Sequence, residues 1–187
     1  MVSTGSNNST IFNLGDVSFT GAFGNPNFAY TGLVNQGVSG SSSPTGALAD
    51  HLAGNNGTVS LLFKTPTSFT GFESLFNRGF FGQSKAFEIG VEDDGDLRLV
   101  NNSTTSTVVK RLSTDTWYYA ALRFNLSLAS DDLTWYVGEL GSSVLDTGSI
   151  TITNGALEDT TIYVGGRSGE SAYRGSIQAL ATWDRTL

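Results

Sequence analysis

TIYVGGRSGESAYRGSIQALATWDRTL, Thr161 to Leu187, is the stretch whose reading decides the fold. A short β-rich run over 161–164 meets Gly165-Gly166. A polar loop carrying Arg167, Glu170 and Tyr173 follows, then Gly175 and an alternating strand that ends at Trp183-Asp184-Arg185-Thr186-Leu187. Glycine at these points permits a turn and a close approach of neighbouring strands. A phosphate-cradling loop is excluded, because no helix follows and no Lys-Ser/Thr completes such a motif. The stretch reads as two strands joined by a recognition-sized loop, the end of an antiparallel β-sandwich.

Working outward, the apolar pattern keeps a period of two. Thr58 to Lys64 (TVSLLFK), Phe87 to Val91 (FEIGV), Leu97 to Val100, Thr107 to Lys110, Trp117 to Phe124 (WYYAALRF), Leu133 to Glu139 (LTWYVGE) and Ser143 to Thr153 read as strands. Asp94-Gly95 between the second and third is a hairpin signal. Trp117, alternating with Tyr119 and Ala121, is expected to present one face to the core, and Trp135 and Trp183 are expected to pack as architecture too. Ser3 to Tyr30 is expected to supply one or two lead-in strands, and Ser39 to Thr45 (SGSSSPT) a long loop. With 187 residues, 39% of them hydrophobic, the chain can bury one sizeable core, so a single domain over 1–187 is expected, with 1–45 as an N-terminal arm or lead-in strands and loop.

Composition excludes several function classes. The net charge of −7, with 10 Lys and Arg in all, argues against nucleic-acid binding, which needs clustered cations. The absence of Cys removes disulfides and thiolate metal sites. Met1 to Asp16 has neither a basic region nor an apolar run, and nothing later approaches the length of a membrane span. Membrane insertion is therefore not expected. An extracellular module without its signal and a virion-surface component both fit this picture.

From about Gly46 onward the chain resembles the laminin-G-like group of concanavalin A-like lectin and glucanase jelly rolls. Gly57 to Thr65 is similar to the family's early core strand, Phe87 to Leu99 to its central hairpin, and Leu112 to Leu122 to its turn, Trp and apolar strand. Leu133 to Glu139 stands where the family has a strand and an Asn-Gly turn; here the turn reads Gly138-Glu139-Leu140-Gly141. The resemblance implies a non-catalytic recognition module that binds glycan or protein through its loops. A structural virion protein, a capsid decoration or fibre component docking on other structural proteins, is the alternative, with Met1 to Asn13 as a docking arm.

An enzyme ranks last. The related glucanases place their acids as Glu-x-Asp-x-x-Glu on one strand. Glu88-Ile89-Gly90-Val91-Glu92 does not supply that spacing, and Glu92 to Asp96 coincides with a turn. The single His51 has no nucleophile motif beside it. No cofactor is required by these residues. Calcium is the cation left open, with Asp93, Asp94, Asp96, Asp131, Asp132, Glu158, Asp159 and Asp184 as candidate ligands and no EF-hand spacing among them. Asn-x-Ser/Thr triplets at Asn7, Asn8, Asn56, Asn101, Asn102 and Asn125 read as turn and loop composition unless the chain passes through a eukaryotic secretory route. For the ligand itself, two loops combine aromatic, Arg and amide groups: Arg78, Phe80, Phe81 and Gln83 in one, Arg167, Glu170, Tyr173 and Arg174 in the other. Such groups hold sugars by stacking and bidentate hydrogen bonds.

Overall fold

Strict alternation in β-branched and aromatic runs leaves one face of each strand apolar, and two such sheets bury those faces against each other. The computed structural model describes residues 2–3, 9–11, 38–39, 54–79, 86–101, 105–152, 162–166, 173–183 and 186. Among these are thirteen strands and no helix: β1 Val2–Ser3, β2 Ser9–Ile11, β3 Val38–Ser39, β4 Asn56–Lys64, β5 Glu73–Arg78, β6 Phe87–Val91, β7 Asp96–Asn101, β8 Thr105–Arg111, β9 Trp117–Asn125, β10 Leu133–Glu139, β11 Asp146–Ile150, β12 Ile162–Val164 and β13 Ser176–Trp183. One sheet has the order β1-β2-β13-β4-β9-β10-β11, the other β3-β12-β5-β6-β7-β8, and all pairings are antiparallel. Among the described residues no helix is long and apolar enough to cross a membrane.

The closing stretch does more than end a sheet. β12 pairs with β5 in the six-stranded sheet, whereas β13 pairs with β4 in the seven-stranded one. The chain therefore changes sheets between Val164 and Ser176. Gly165 adopts φ +69° and its N–H donates to Leu75 O at 2.9 Å. Gly175 sits so close to β4 that a Cβ there would stand 2.1 Å from Lys64 O. At the other end of the sequence, β2, within the stretch expected to lead in, pairs with β13 inside β1, and β3, beyond that stretch, pairs with β12 at the edge of the six-stranded sheet.

The core lies between Val59, Leu61 and Phe63 of β4, Tyr118, Ala120, Leu122 and Phe124 of β9, and Leu133, Trp135 and Val137 of β10 on one side, and Phe76, Phe87, Ile89, Val91, Leu97 and Leu99 on the other. Phe87 packs against Phe124 with ring centroids 5.5 Å apart, joining the two sheets. The β6–β7 hairpin forms where Asp94-Gly95 predicts it: Gly95 takes φ +86°, and Glu92 N donates to Asp96 O at 2.9 Å.

Three expectations need correction. On β9 the phase is inverted: Tyr118, Ala120, Leu122 and Phe124 face the core, whereas Trp117 and Tyr119 turn outward and stay half-buried. Both phases of WYYAALRF are apolar, so alternation alone cannot choose between them; the choice falls to the aromatic partners, Phe63 stacking on Tyr118 at 5.9 Å. β5 has no counterpart in the sequence reading. Glu73, Ser74, Asn77 and Arg78 make it look like a loop, yet all six residues are buried. Finally, of the run expected over Ser143 to Thr153, the described residues 143–152 form a strand only over Asp146–Ile150, with Val144 and Leu145 exposed ahead of it.

Gly175→Ala is expected to cost about 2 to 3 kcal/mol, because the added methyl meets backbone that cannot move without opening the β4–β13 pairing. Urea unfolding would read this as a lowered midpoint at unchanged slope. Gly54→Ala, where the nearest atom to an added Cβ is 3.8 Å away, serves as control.

Candidate ligand-binding face

Of the residues expected in ligand loops, three are placed by the structure, and each serves the scaffold. Arg78 is 1% exposed. Its guanidinium lies 4.9 Å from the Phe124 ring centroid and 5.8 Å from that of Phe87, between the two sheets, and Nη2 donates to Gly54 O at 2.9 Å. Burial brings its pKa down to about 10. Tyr173 is equally buried; its hydroxyl donates to Lys64 O at 2.8 Å, its N–H to Gly165 O at 3.0 Å, and its ring meets Phe63 edge-on at 6.2 Å. Arg174 donates from its backbone N to Glu73 Oε2 at 3.0 Å, from Nε to Glu73 Oε1 at 2.7 Å, and from Nη2 to Ser68 O at 2.7 Å. Gly175, next to Arg174, marks close packing against β4. Phe80, Phe81, Gln83, Arg167 and Glu170 lie outside the described residues, as do His51, Glu158, Asp159 and Asp184.

What the structure brings together instead is the outer face of the seven-stranded sheet. Register places Tyr119 opposite Gly138 and Tyr136 opposite Ala121 on adjacent strands. Trp117 stands one alternation before Tyr119, and Arg123 two after it. The small Ala121 opposite Tyr136 leaves room for that ring along the sheet. The side chain of Leu145 covers Gly138, where a Cβ would stand 2.6 Å from its Cδ2. Trp117, Tyr119 and Tyr136 are each half-buried, so each keeps part of its surface in solvent. Burial holds the Tyr119 phenol above its ordinary pKa. Toward β4 the same face closes, with Thr58, Ser60 and Leu62 all buried.

At the Arg123 end the face opens into a cavity of about 170 Å³ lined by Arg123, Asn125, Leu128, Asp131, Asp132, Thr134 and Thr186. The two acids here are engaged: Asp131 Oδ1 accepts from Ser149 Oγ at 2.6 Å, and Asp132 Oδ1 from Ile152 N at 2.6 Å. In the β6–β7 turn Asp94 and Asp96 both pair with Arg111, at 3.3 and 3.0 Å. Among the described residues no group of three or more His, Cys, Asp or Glu is placed to share a metal ion. Of the glycosylation triplets, Asn101 is buried and its Nδ2 donates to Thr151 O at 3.0 Å, whereas Asn56 is exposed. The signal that finds the aromatic face is the second apolar phase of β9, together with Gly138 beside it.

No protein-family pattern and no curated protein matches this chain. Solved structures do match in fold. Trypanosoma rangeli sialidase in complex with sialic acid superposes with a TM-score of 0.60 at 17% identity, over 86% of this chain and 25% of the sialidase, so the chain spans a quarter of that enzyme's length. Ruminococcus gnavus IT-sialidase CBM40 bound to α2,6-sialyllactose gives 0.59 at 17% identity, over 86% of this chain and 93% of the domain. The SAP-like pentraxin of Limulus polyphemus gives 0.50 at 18%, over 91% and 76%. At such identities the likeness is one of fold, the concanavalin A-like antiparallel jelly roll.

The buried phenol of Tyr173 makes a pH prediction. Burial, and then the charge of Glu73, hold its pKa well above the usual 10. An acid whose folded pKa is raised contributes stability that is complete below the unfolded value and is lost as pH rises from there toward the folded one. Stability is therefore expected to fall above pH 10, by up to about 1.4 kcal/mol per pH unit from this group. Tyr173→Phe removes that part of the slope while costing about 1 kcal/mol at neutral pH for the lost bond to Lys64 O. Urea titrations of both proteins from pH 8 upward, compared as a difference, would check it.

Proposed function

We propose that this chain is a non-catalytic recognition module that binds glycan on the outer face of β9 and β10, as the laminin-G-like resemblance implies in kind though not in place. The observation that carries this reading is the row of Trp117, Tyr119 and Tyr136, half-buried on the outer face of the sheet. The C–H faces of sugar rings stack on such aromatics, and a few polar groups then fix orientation. Arg123 and Thr134 supply those groups at the cavity end. The absence of catalysis is supported by the engagement of Asp131 and Asp132 in structural hydrogen bonds beside this face.

The ligands bound by the fold neighbours guide the choice of probe. The CBM40 domain that this chain matches over 93% of its length is bound to sialyllactose, which supports a binding module rather than a whole hydrolase. Sialylated oligosaccharides are thus the first glycans to test, with neutral oligosaccharides beside them. An array followed by titration calorimetry is the experiment. Trp117→Ala and Tyr136→Ala are each expected to weaken binding about tenfold, equivalent to about 1.4 kcal/mol, and Tyr136→Phe to keep most of the affinity. Binding is expected to persist in a chelator, since no cofactor is part of the proposal. Wild-type affinity in both alanine variants would remove the site, and turnover of any glycan by the purified chain would remove the non-catalytic reading.

A further inference from the structure

β8 and β11 each end a sheet, and they lie on the same side of the sandwich, tied by the Lys110–Asp146 ion pair. A sheet edge exposes backbone donors and acceptors that invite another strand, and proteins that stay monomeric guard it with cations, proline or bulges. β8 is guarded: its register against β7 shifts between Leu97 and Arg98, and it ends in Lys110-Arg111. β11 is not. Its register against β10 is unbroken from Val137↔Asp146 to Leu133↔Ile150. Its sequence, DTGSI, has no Lys, Arg or Pro, and its one charge is engaged by Lys110. Thr147 and Ser149 are exposed, the inward residues Asp146, Gly148 and Ile150 are half-buried, and among the described residues no further strand pairs with this edge. Leu140, Val144 and Leu145, each about half exposed or more, lie in the turn that leads into it.

We propose that β11 is the dimerisation edge of this protein, pairing antiparallel with β11 of a second copy about a two-fold axis at Gly148. The strand's own sequence selects a copy of itself as the occupant. Centred on Gly148, the pairing sets Thr147 opposite Ser149, Asp146 opposite Ile150 and Leu145 opposite Thr151 of the second copy. Hydroxyls meet hydroxyls on the outer face and no like charges oppose each other. Gly148 is held as glycine from within, because a Cβ there would stand 2.3 Å from the Trp135 ring, and the bare backbone also allows close approach on the axis. Two five-residue edges with a few apolar side chains fall below the usual area of a stable interface, so dissociation on the order of micromolar is expected.

The axis runs perpendicular to the joined sheet, so both outer faces point the same way. Two aromatic rows then share one surface, and a multivalent ligand could engage both. The dimer itself does not depend on the glycan reading.

Sedimentation velocity without any glycan is the test, across protein concentrations up to about 1 mM, the weakest affinity worth counting. Wild-type chain is expected to shift from monomer to dimer over the titration. Thr147→Lys combined with Ser149→Lys sets lysines opposite each other and is expected to stay monomeric, with a melting transition that shows it is folded. Mixing that variant with Thr147→Glu chain, which sets the new carboxylate opposite an introduced ammonium across the axis, is expected to restore a mixed dimer. A wild-type chain that remains monomeric, or a double-lysine variant that dimerises as well as wild type, overturns the proposal. Should the double-lysine variant fail to fold, the proposal still falls if Leu145→Ser, at the exposed entry to the strand, leaves the wild-type dimerisation constant unchanged. In each case glycan affinity is measured separately, so failure of one reading does not obscure the other.

Discussion

Arg174 reaches from the entrance of β13 in one sheet to Glu73 at the start of β5 in the other, and the remaining architecture depends on that crossing. A nearly buried carboxylate costs several kcal/mol unless it is paired and hydrogen-bonded. Glu73 is both, receiving the guanidinium on one oxygen and the backbone N–H of the same residue on the other. The pair therefore fixes the backbone of 173–175 as well as a side chain. With it fixed, Tyr173 reaches Lys64 O and Gly175 fits against β4. The chain can then leave one sheet and enter the other within a dozen residues.

Most of the fold was legible because most strands obey one rule. Phe87 to Val91, Leu97 to Val100 and Leu133 to Glu139 alternate cleanly, and Asp94-Gly95 dictates its turn chemically. β5 was not legible, because its polarity is neutralised by partners far away in sequence: Glu73 by Arg174, and Arg78 by Gly54 O and the Phe124 ring. Long-range satisfaction of buried polar groups leaves no local periodicity. The ligand-loop residues follow the same logic. An Arg or Tyr beside glycine looks like a loop side chain offered to solvent, and here Arg78 and Tyr173 are buried while Arg174 is held half-buried by Glu73. The aromatic face was half legible: WYYAALRF announces two apolar phases, but which one faces water is set by rings on β4, not by β9 itself.

The sandwich's polar interior at Arg78 also explains why hydrophobic content understates the core. The guanidinium packs its flat surface against Phe124 and Phe87 while its edge finds a carbonyl. It behaves as a stacked ring with donors at its rim, and lysine, lacking the plane, would not replace it. Burial depresses its pKa to about 10, still far above neutral, so the group stays charged.

The alternation on β9 and β10 has an evolutionary corollary. Tyr118, Leu122, Phe124 and Val137 hold the sheets together, whereas Trp117, Tyr119, Arg123 and Tyr136 stand on the opposite side of the same two strands. Selection for thermal persistence and selection for a new partner thus act on separate, interleaved residues. A lineage carrying this sandwich can exchange its outward set one side chain at a time without passing through an unfolded ancestor, whatever that face meets.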